Sequence, residues 1–253
     1  MPHSARKKKP TKRANITDSN GWTHVTTTTN KTKPTVSNSN NSNNTDERLL
    51  LQPSSPPQDL TDQKLLSQFA RFHRTWLSSR SWSVVRDNLL PQKTNITIIS
   101  IGLGSPSGFI GDGWIDRRSI SMYQLAGLAS IVDLYRGRGG VLKKVYAQDP
   151  VFNSLDKTLL ATLGITVVEH PAVFDLVVTN KEEDEKIFLY CPGAEIVHIQ
   201  HLISSSESIA MLFGNSLNGD SFANFVASTE SIRVPSFEPC EHAFWDVRLY
   251  YHR

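Results

Sequence analysis

The chain has 253 residues, 38% of them hydrophobic, with 27 Lys or Arg against 24 Asp or Glu and a formal net charge of +3. A sequence isoelectric point near 8.8 invites a nucleic-acid partner, but the charge is unevenly divided: residues 1–48 carry a net of +6 and the remaining 205 a net of −3. The basicity belongs to a tail, which excludes a basic, groove-reading fold and makes specific nucleic-acid binding unlikely. No run reaches the roughly 20 apolar residues of a membrane span, and the N-terminus lacks the apolar stretch of a secretory signal. Cys191 and Cys240 are the only cysteines, too few for a disulfide scaffold or a four-ligand zinc knuckle. A soluble, reducing, intracellular setting, cytoplasmic or nuclear, is the expectation.

Residues 1–58 are rich in Asn, Thr, Ser and Pro and contain the low-complexity runs Thr26–Thr29 and Ser37–Asn44. Ordering costs about 1–2 kcal/mol per residue, and this segment has too few large apolar side chains to offset it, so disorder is expected. Within it, Lys7-Lys8-Lys9-Pro10-Thr11-Lys12-Arg13 has the shape of a short nuclear-import signal. The bland reading is a basic end that touches RNA or membranes weakly and carries no address.

From residue 59 to 253 a single α/β domain is expected. Thr61, or Asp59, caps a helix in which Leu65, Leu66, Phe69, Phe72, Trp76 and Leu77 recur at spacings of three and four. A second helical stretch runs through Trp82, Val85 and Leu90 and stops at Pro91. The β-branched run Ile96–Ile101 reads as a buried strand ending in Gly102-Leu103-Gly104-Ser105-Pro106-Ser107-Gly108. After Gly111-Asp112-Gly113 comes a helix from about Ser119 to Tyr135, apolar around most of its circumference and so largely buried. A strand over Val141–Ala147 ends at Gln148-Asp149-Pro150, Asn153 or Ser154 caps a helix through Leu163, and Gly164 stops it. Further strands are read at Ile165–Val168, Lys186–Tyr190 and Ser208–Phe213, helices at Ala194–Ser204 and Ser221–Ser228, and a weak strand near Val247–Tyr251. Strands separated by helices imply parallel pairing with right-handed crossovers, and the expectation is a Rossmann-like three-layer domain with a mostly parallel sheet.

Ligands on open parallel sheets bind at the carboxyl ends of the strands. The candidate pocket residues there are Gly102, Gly104, Ser105, Asp149 and Asn215: glycine lets a backbone approach a ligand, and Asp149 follows the second strand, where a ribose hydroxyl is accepted in nucleotide-binding folds. The spacing Gly102-x-Gly104-x-x-x-Gly108 departs from G-x-G-x-x-G and Pro106 interrupts it, so a purely structural turn is the competing reading. A pocket filled by Leu103 or Phe152 would favour that scaffold reading. His198 and His201, three apart on one helix near Cys191, have the spacing of a metal pair but read more simply as partly exposed histidines. Glu182-Glu183-Asp184-Glu185 reads as a solvated loop, or else an acidic interaction patch. The sequence holds no G-x-S-x-G elbow, no G-K-[ST] loop and no H-E-x-x-H, so no catalytic set emerges.

At these same strand ends the chain resembles the sensitivity-to-red-light-reduced family, the SRR-like domain. The resemblance rests on Ser100-Ile101-Gly102-Leu103-Gly104-Ser105, Tyr123-Gln124-Leu125-Ala126, Asp149-Pro150-Val151-Phe152 with Asp156, and Leu160 through Gly164. Phe188–Gly193 and Phe213-Gly214-Asn215-Ser216 add weaker echoes, and the whole covers roughly 95–217. The family pattern after the fourth strand is similar to Pro-His-Cys, whereas Pro192 is followed here by Gly193-Ala194. The resemblance implies a regulatory role, associated with light signalling and the clock in plant members and with microtubule-related phenotypes in a fungal relative, and no defining enzymatic activity. The Asn/Thr/Ser tail suits a fungal member. The expected function is therefore that of a regulatory protein binding a small ligand or a protein partner, with no cofactor assigned. The alternative is a nucleotide-cofactor enzyme such as an S-adenosylmethionine-dependent methyltransferase.

Overall fold

The computed structural model describes residues 13–17, 23–27, 53, 55–89, 95–108, 116–137, 141–179 and 185–252. The chain divides into two units, Met1–Gln52 and Pro53–Arg253. In the first, β1 (Arg13–Thr17) and β2 (Thr23–Thr27) pair antiparallel, Ala14 opposite Thr26 and Ile16 opposite His24. This pairing lies inside the stretch read as unstructured. Its Thr, Val and Ile residues favour extended backbone, and the intervening sequence contains Asn20-Gly21, a dipeptide favoured between paired strands. A lone two-stranded ribbon is marginal in water. Residues 1–12, with most of the basic run, lie outside the described residues.

The second unit opens with α1 (Asp62–Leu77) and α2 (Arg80–Asn88). Thr61 accepts from the Lys64 N–H at 3.3 Å, and Ser79 accepts from that of Trp82 at 3.1 Å. The second helix stops at Asn88 rather than at Leu90; Leu90 and Pro91 lie outside the described residues. Then follow β3 (Asn95–Ile101), α3 (Arg117–Gly137), β4 (Val141–Gln148), α4 (Ser154–Thr162), β5 (Thr166–Val167), α5 (Ala172–Thr179) and β6 (Glu185–Cys191). The chain finishes with α6 (Ile196–Ser205), β7 (Ile209–Asn215), α7 (Ala223–Ser228), β8 (Thr229–Arg233) and β9 (Val247–His252). Short 3-10 segments occupy Asp220–Phe222 and Glu238–Phe244. None of these helices is long and apolar enough to cross a membrane.

The result is a mixed α/β domain with a mostly parallel seven-stranded sheet in the order β5-β4-β3-β6-β7-β9-β8. The central strand β3 pairs parallel with β4 and β6, Ile98 lying level with Val145 and Phe188. Only β9 runs the other way, antiparallel to both neighbours. Two elements depart from the sequence expectation. Helix α5 has the sequence Ala-Val-Phe-Asp-Leu-Val-Val-Thr, whose β-branched residues weaken a helical reading. Strand β8, Thr-Glu-Ser-Ile-Arg, has too little apolar content to announce itself and is stabilised by β9, the strand it edges.

Alternation along the strands supplies both faces. Ile96 and Ile98 of β3, Phe188 and Tyr190 of β6 and Phe213 of β7 join a core with residues of α1 to α4. Ile99, Ile101, Ile187, Leu189 and Leu212 join a second core with Val173 and Val177 of α5 and Ile199 and Leu202 of α6. The first core contains a string of rings: Trp76 lies 5.4 Å from Phe237 and 4.5 Å from Phe244, Phe237 lies 4.7 Å from Tyr123, and Phe213 lies 5.0 Å from Tyr190. This cluster clamps the Glu238–Phe244 segment between α1 and α3 and so shapes the carboxyl edge of the sheet.

Candidate functional site

Strand β3 delivers the chain to a turn in which Gly102 and Gly104 both adopt left-handed backbone, φ 73° and 67°. Each side of the turn meets a neighbour at close range. A Cβ on Gly102 would stand 2.7 Å from the Ala194 Cα, and one on Gly104 would stand 2.5 Å from the Ser121 Oγ of α3. Gly193 in turn faces the Gly102 carbonyl oxygen so closely that no side chain fits. Ala194 is buried beside it. The glycine that stands at residue 193 therefore has a steric reason here, and with Ala194 beside it this loop holds neither imidazole nor thiol at these two positions.

Two carboxylates hold the turn. The Asp149 Oδ2 accepts from the Gly104 N–H at 2.7 Å and Oδ1 from the Val151 N–H at 3.1 Å. Burial of this carboxyl group raises its pKa to about 6, against the two N–H donors, which lower it. Asp156 is fully buried. Its Oδ2 accepts from the Ser105 hydroxyl at 2.5 Å and the Asn153 N–H at 3.1 Å, and its Oδ1 from the Ser107 N–H at 2.8 Å. Asn153 reciprocates by accepting from the Leu155 and Asp156 N–H groups at 3.0 and 3.2 Å, a capping box on α4.

Gly102, Gly104, Ser105 and Asp149 are thus brought into one cluster, and the cluster is internally satisfied. The Gly104 amide that would face a phosphate and the acid that would face a ribose are matched to each other. Leu103 and Phe152, 1% and 2% exposed, are packed into the core beneath. Asn215 stands apart. It is the last residue of β7, opposite Val247 of β9, and β6 separates it from β3. With strands about 4.8 Å apart, roughly 10 Å intervenes. The strand also runs through Gly214 to Asn215 instead of stopping at Phe213. The next residue, Ser216, donates its N–H and hydroxyl to the Asp246 carbonyl at 3.0 and 3.2 Å.

The remaining sequence candidates separate. Cys191 is fully buried and its thiol is pushed up to about 12 by that burial, which makes it a packing residue. His198 and His201 lie beside Phe174 of α5, ring centres 6.3 and 5.0 Å away, and no group of three or more potential ligands for a metal exists among the described residues. Of the acidic run only Glu185 is described; it begins β6 and accepts a hydrogen bond from the Thr97 hydroxyl. Sequence reading gave Asn153 as a candidate cap of α4, which it is, but missed the role of Ser107 and that of Asp156 as an anchor. The spacing Asn153-x-x-Asp156 is the readable signal, since it is a capping-box pattern at a helix start.

A search of the curated proteins found no match. The model of the SRR1 domain matches residues 83–251, from within α2 into β9, which is two thirds of the chain, and on that match the chain belongs to the SRR1 domain family.

Proposed function

We propose that this chain is a regulatory protein that acts by binding, through a Rossmann-like three-layer domain, rather than by turnover. The SRR1 domain points to a regulatory role at the level of the family. One observation carries the reading for this chain: the hydrogen bond from the Gly104 N–H to Asp149 engages the two groups that a nucleotide cofactor would use. A small ligand at Gly102, Gly104, Ser105, Asp149 and Asn215 would have to bind over this closed turn, and a protein partner would meet its outer surface. The setting we propose is signalling, clock- or cytoskeleton-related regulation in the cytoplasm or nucleus of a fungal cell, with Lys7–Arg13 as the import address. The net −3 of residues 49–253 argues against a specific nucleic-acid partner. The test is a thermal-shift screen of metabolites on the full chain followed by turnover assays on every hit. Binding without turnover is expected; turnover abolished by Asp149→Asn overturns the reading.

A second reading, an S-adenosylmethionine-dependent methyltransferase, is favoured by the sheet alone. Counted along the domain, the strand order is third, second, first, fourth, fifth, seventh, sixth, which sets the glycine turn after the first strand beside Asp149 after the second, at the carboxyl ends where such a cofactor would lie. The residues do not fit the cofactor as well as the topology does, because Asp149 is engaged by Gly104 and Val151. Calorimetry with S-adenosylmethionine discriminates: saturable millimolar or tighter binding supports this second reading, and none removes it.

A further inference from the structure

The half of the carboxyl edge formed by β7, β9 and β8 differs from the half around Gly104: there the structure presents an aromatic ring to solvent. Trp245 is 68% exposed, the most exposed large apolar side chain among the described residues. Its neighbours Phe244 and Val247 are buried, so the ring is directed outward at a place where the chain otherwise packs inward. The next residue, Asp246, has a φ of 50° and is the one left-handed non-glycine among the described residues. Its carbonyl is held there by Ser216. Beside the ring lies a cleft of about 350 Å³ lined by Arg233, Pro235, Ser236, Glu241, Trp245 and Asp246. A second cleft of about 480 Å³ shares Pro235 and Ser236 with it and is lined also by Arg80 and Glu238.

We infer that this groove is a docking site for an extended segment of a partner protein carrying an arginine or lysine, whose cation lies on the face of Trp245 between Glu241 and Asp246. Indole is the best aromatic surface for a cation, and an exposed tryptophan beside a groove is the kind of anchor that dominates protein–protein contacts. The charges select a cation over an anion. Asp246 is paired with Arg233 across 3.4 Å, both side chains being substantially exposed, so a partner guanidinium can take that place. Across the two clefts Glu238, Glu241 and Asp246 outnumber Arg80 and Arg233, a net of −1. Two clefts that meet at Pro235 and Ser236 suit an extended peptide rather than a free amino acid. This deepens the regulatory reading by naming its partner chemistry; the metabolite and turnover assays test that reading without involving this surface.

The experiment uses the full chain, isotope-labelled, with the indole N–H signal of Trp245 assigned by its loss in Trp245→Phe. The probes are the capped tetrapeptide acetyl-Ala-Arg-Ala-Ala-amide, its citrulline counterpart, which keeps the shape without the charge, and inorganic phosphate. The expected result is a saturable shift of the Trp245 signal with the arginine peptide, weakened roughly tenfold by Glu241→Gln, and none with the citrulline peptide. Both replaced side chains are exposed, so an unchanged thermal midpoint confirms that the variants fold. An equal response to citrulline shows an apolar pocket, a response to phosphate shows an anion site at Arg233, and no response at millimolar peptide shows a bare surface; each of these overturns the inference.

Discussion

Replacing Asp156 by Ala tests whether the glycine turn is held from below by a buried acid. The substitution removes the acceptor for the Ser105 hydroxyl at 2.5 Å, the Ser107 N–H at 2.8 Å and the Asn153 N–H at 3.1 Å. The hydroxyl can turn to another acceptor, but the two backbone donors cannot. Each buried donor left unmatched costs about 1–3 kcal/mol, the Asn153 N–H being the lost half of the capping box. Removing a buried polar group returns part of this, so the expected loss is about 3 kcal/mol, a large share of the roughly 5–15 kcal/mol available to a domain. In a urea titration followed by tryptophan fluorescence this moves the midpoint down by about 1–2 M at unchanged slope. Asp156→Asn keeps one acceptor oxygen and loses about half as much. The double variant Ser105→Ala, Asp156→Ala loses less than the sum of its parts, because the two share a bond. A loss below about 1 kcal/mol for Asp156→Ala would refute the assignment of this carboxylate as the anchor of the turn.

Three further outcomes follow from the same geometry. Gly102→Ala and Gly104→Ala both add left-handed strain of about 1–2 kcal/mol, but the first also clashes with immovable backbone at 2.7 Å whereas the second meets the rotatable Ser121 hydroxyl; thermal midpoints should fall further for the first than for the second, and equal falls would contradict the packing. Trp76→Ala empties the centre of the aromatic cluster, a change of about 3–5 kcal/mol. A fragment restricted to residues 83–251, lacking α1 with its buried Leu65, Phe69 and Trp76, should fail to fold cooperatively by circular dichroism. For Asp149 the folded pKa of about 6 lies above the ordinary 3.8, so its contribution is fully present below about pH 4 and is lost as pH rises through about 6, by at most about 3 kcal/mol. Asp149→Asn should therefore flatten the fall in urea stability between those pH values; an unchanged pH profile would show that the carboxyl group is not desolvated.

The elements with strong patterning are legible in the amino-acid sequence alone. Ile96–Ile101, the long apolar helix through Leu125 and Leu128, and the capped helix after Asn153 all stand where their residues place them. The glycine turn and the acid after β4 are likewise readable as neighbours, because parallel β3 and β4 must bring their carboxyl ends together. Their relation is not. Spacing alone does not tell a free amide from one that donates to Asp149, since the choice depends on how closely the β4–α4 loop approaches β3. Asn215 shares with them a place at a strand end, but its distance depends on sheet order, which is set by crossovers rather than by local sequence. Strand β8 and the Trp245 turn are illegible for a related reason. A five-residue polar strand is stabilised by its neighbour, and a left-handed aspartate is imposed by the carbonyl contacts of Ser216, thirty residues earlier.

The placement of β9 between β7 and β8 bears on biosynthesis. Both flanking strands leave the ribosome before the strand that joins them, so β8 emerges with no partner at all. The Met211-Leu212-Phe213 edge of β7, which later faces Leu249, Tyr250 and Tyr251, stays open during that interval. Open apolar edges are templates for pairing with other chains, and incomplete domains are the species that chaperones hold. The nascent domain is therefore most vulnerable in the interval before Val247–His252 is made, and a product ending before Val247 would lack the strand that joins β7 to β8.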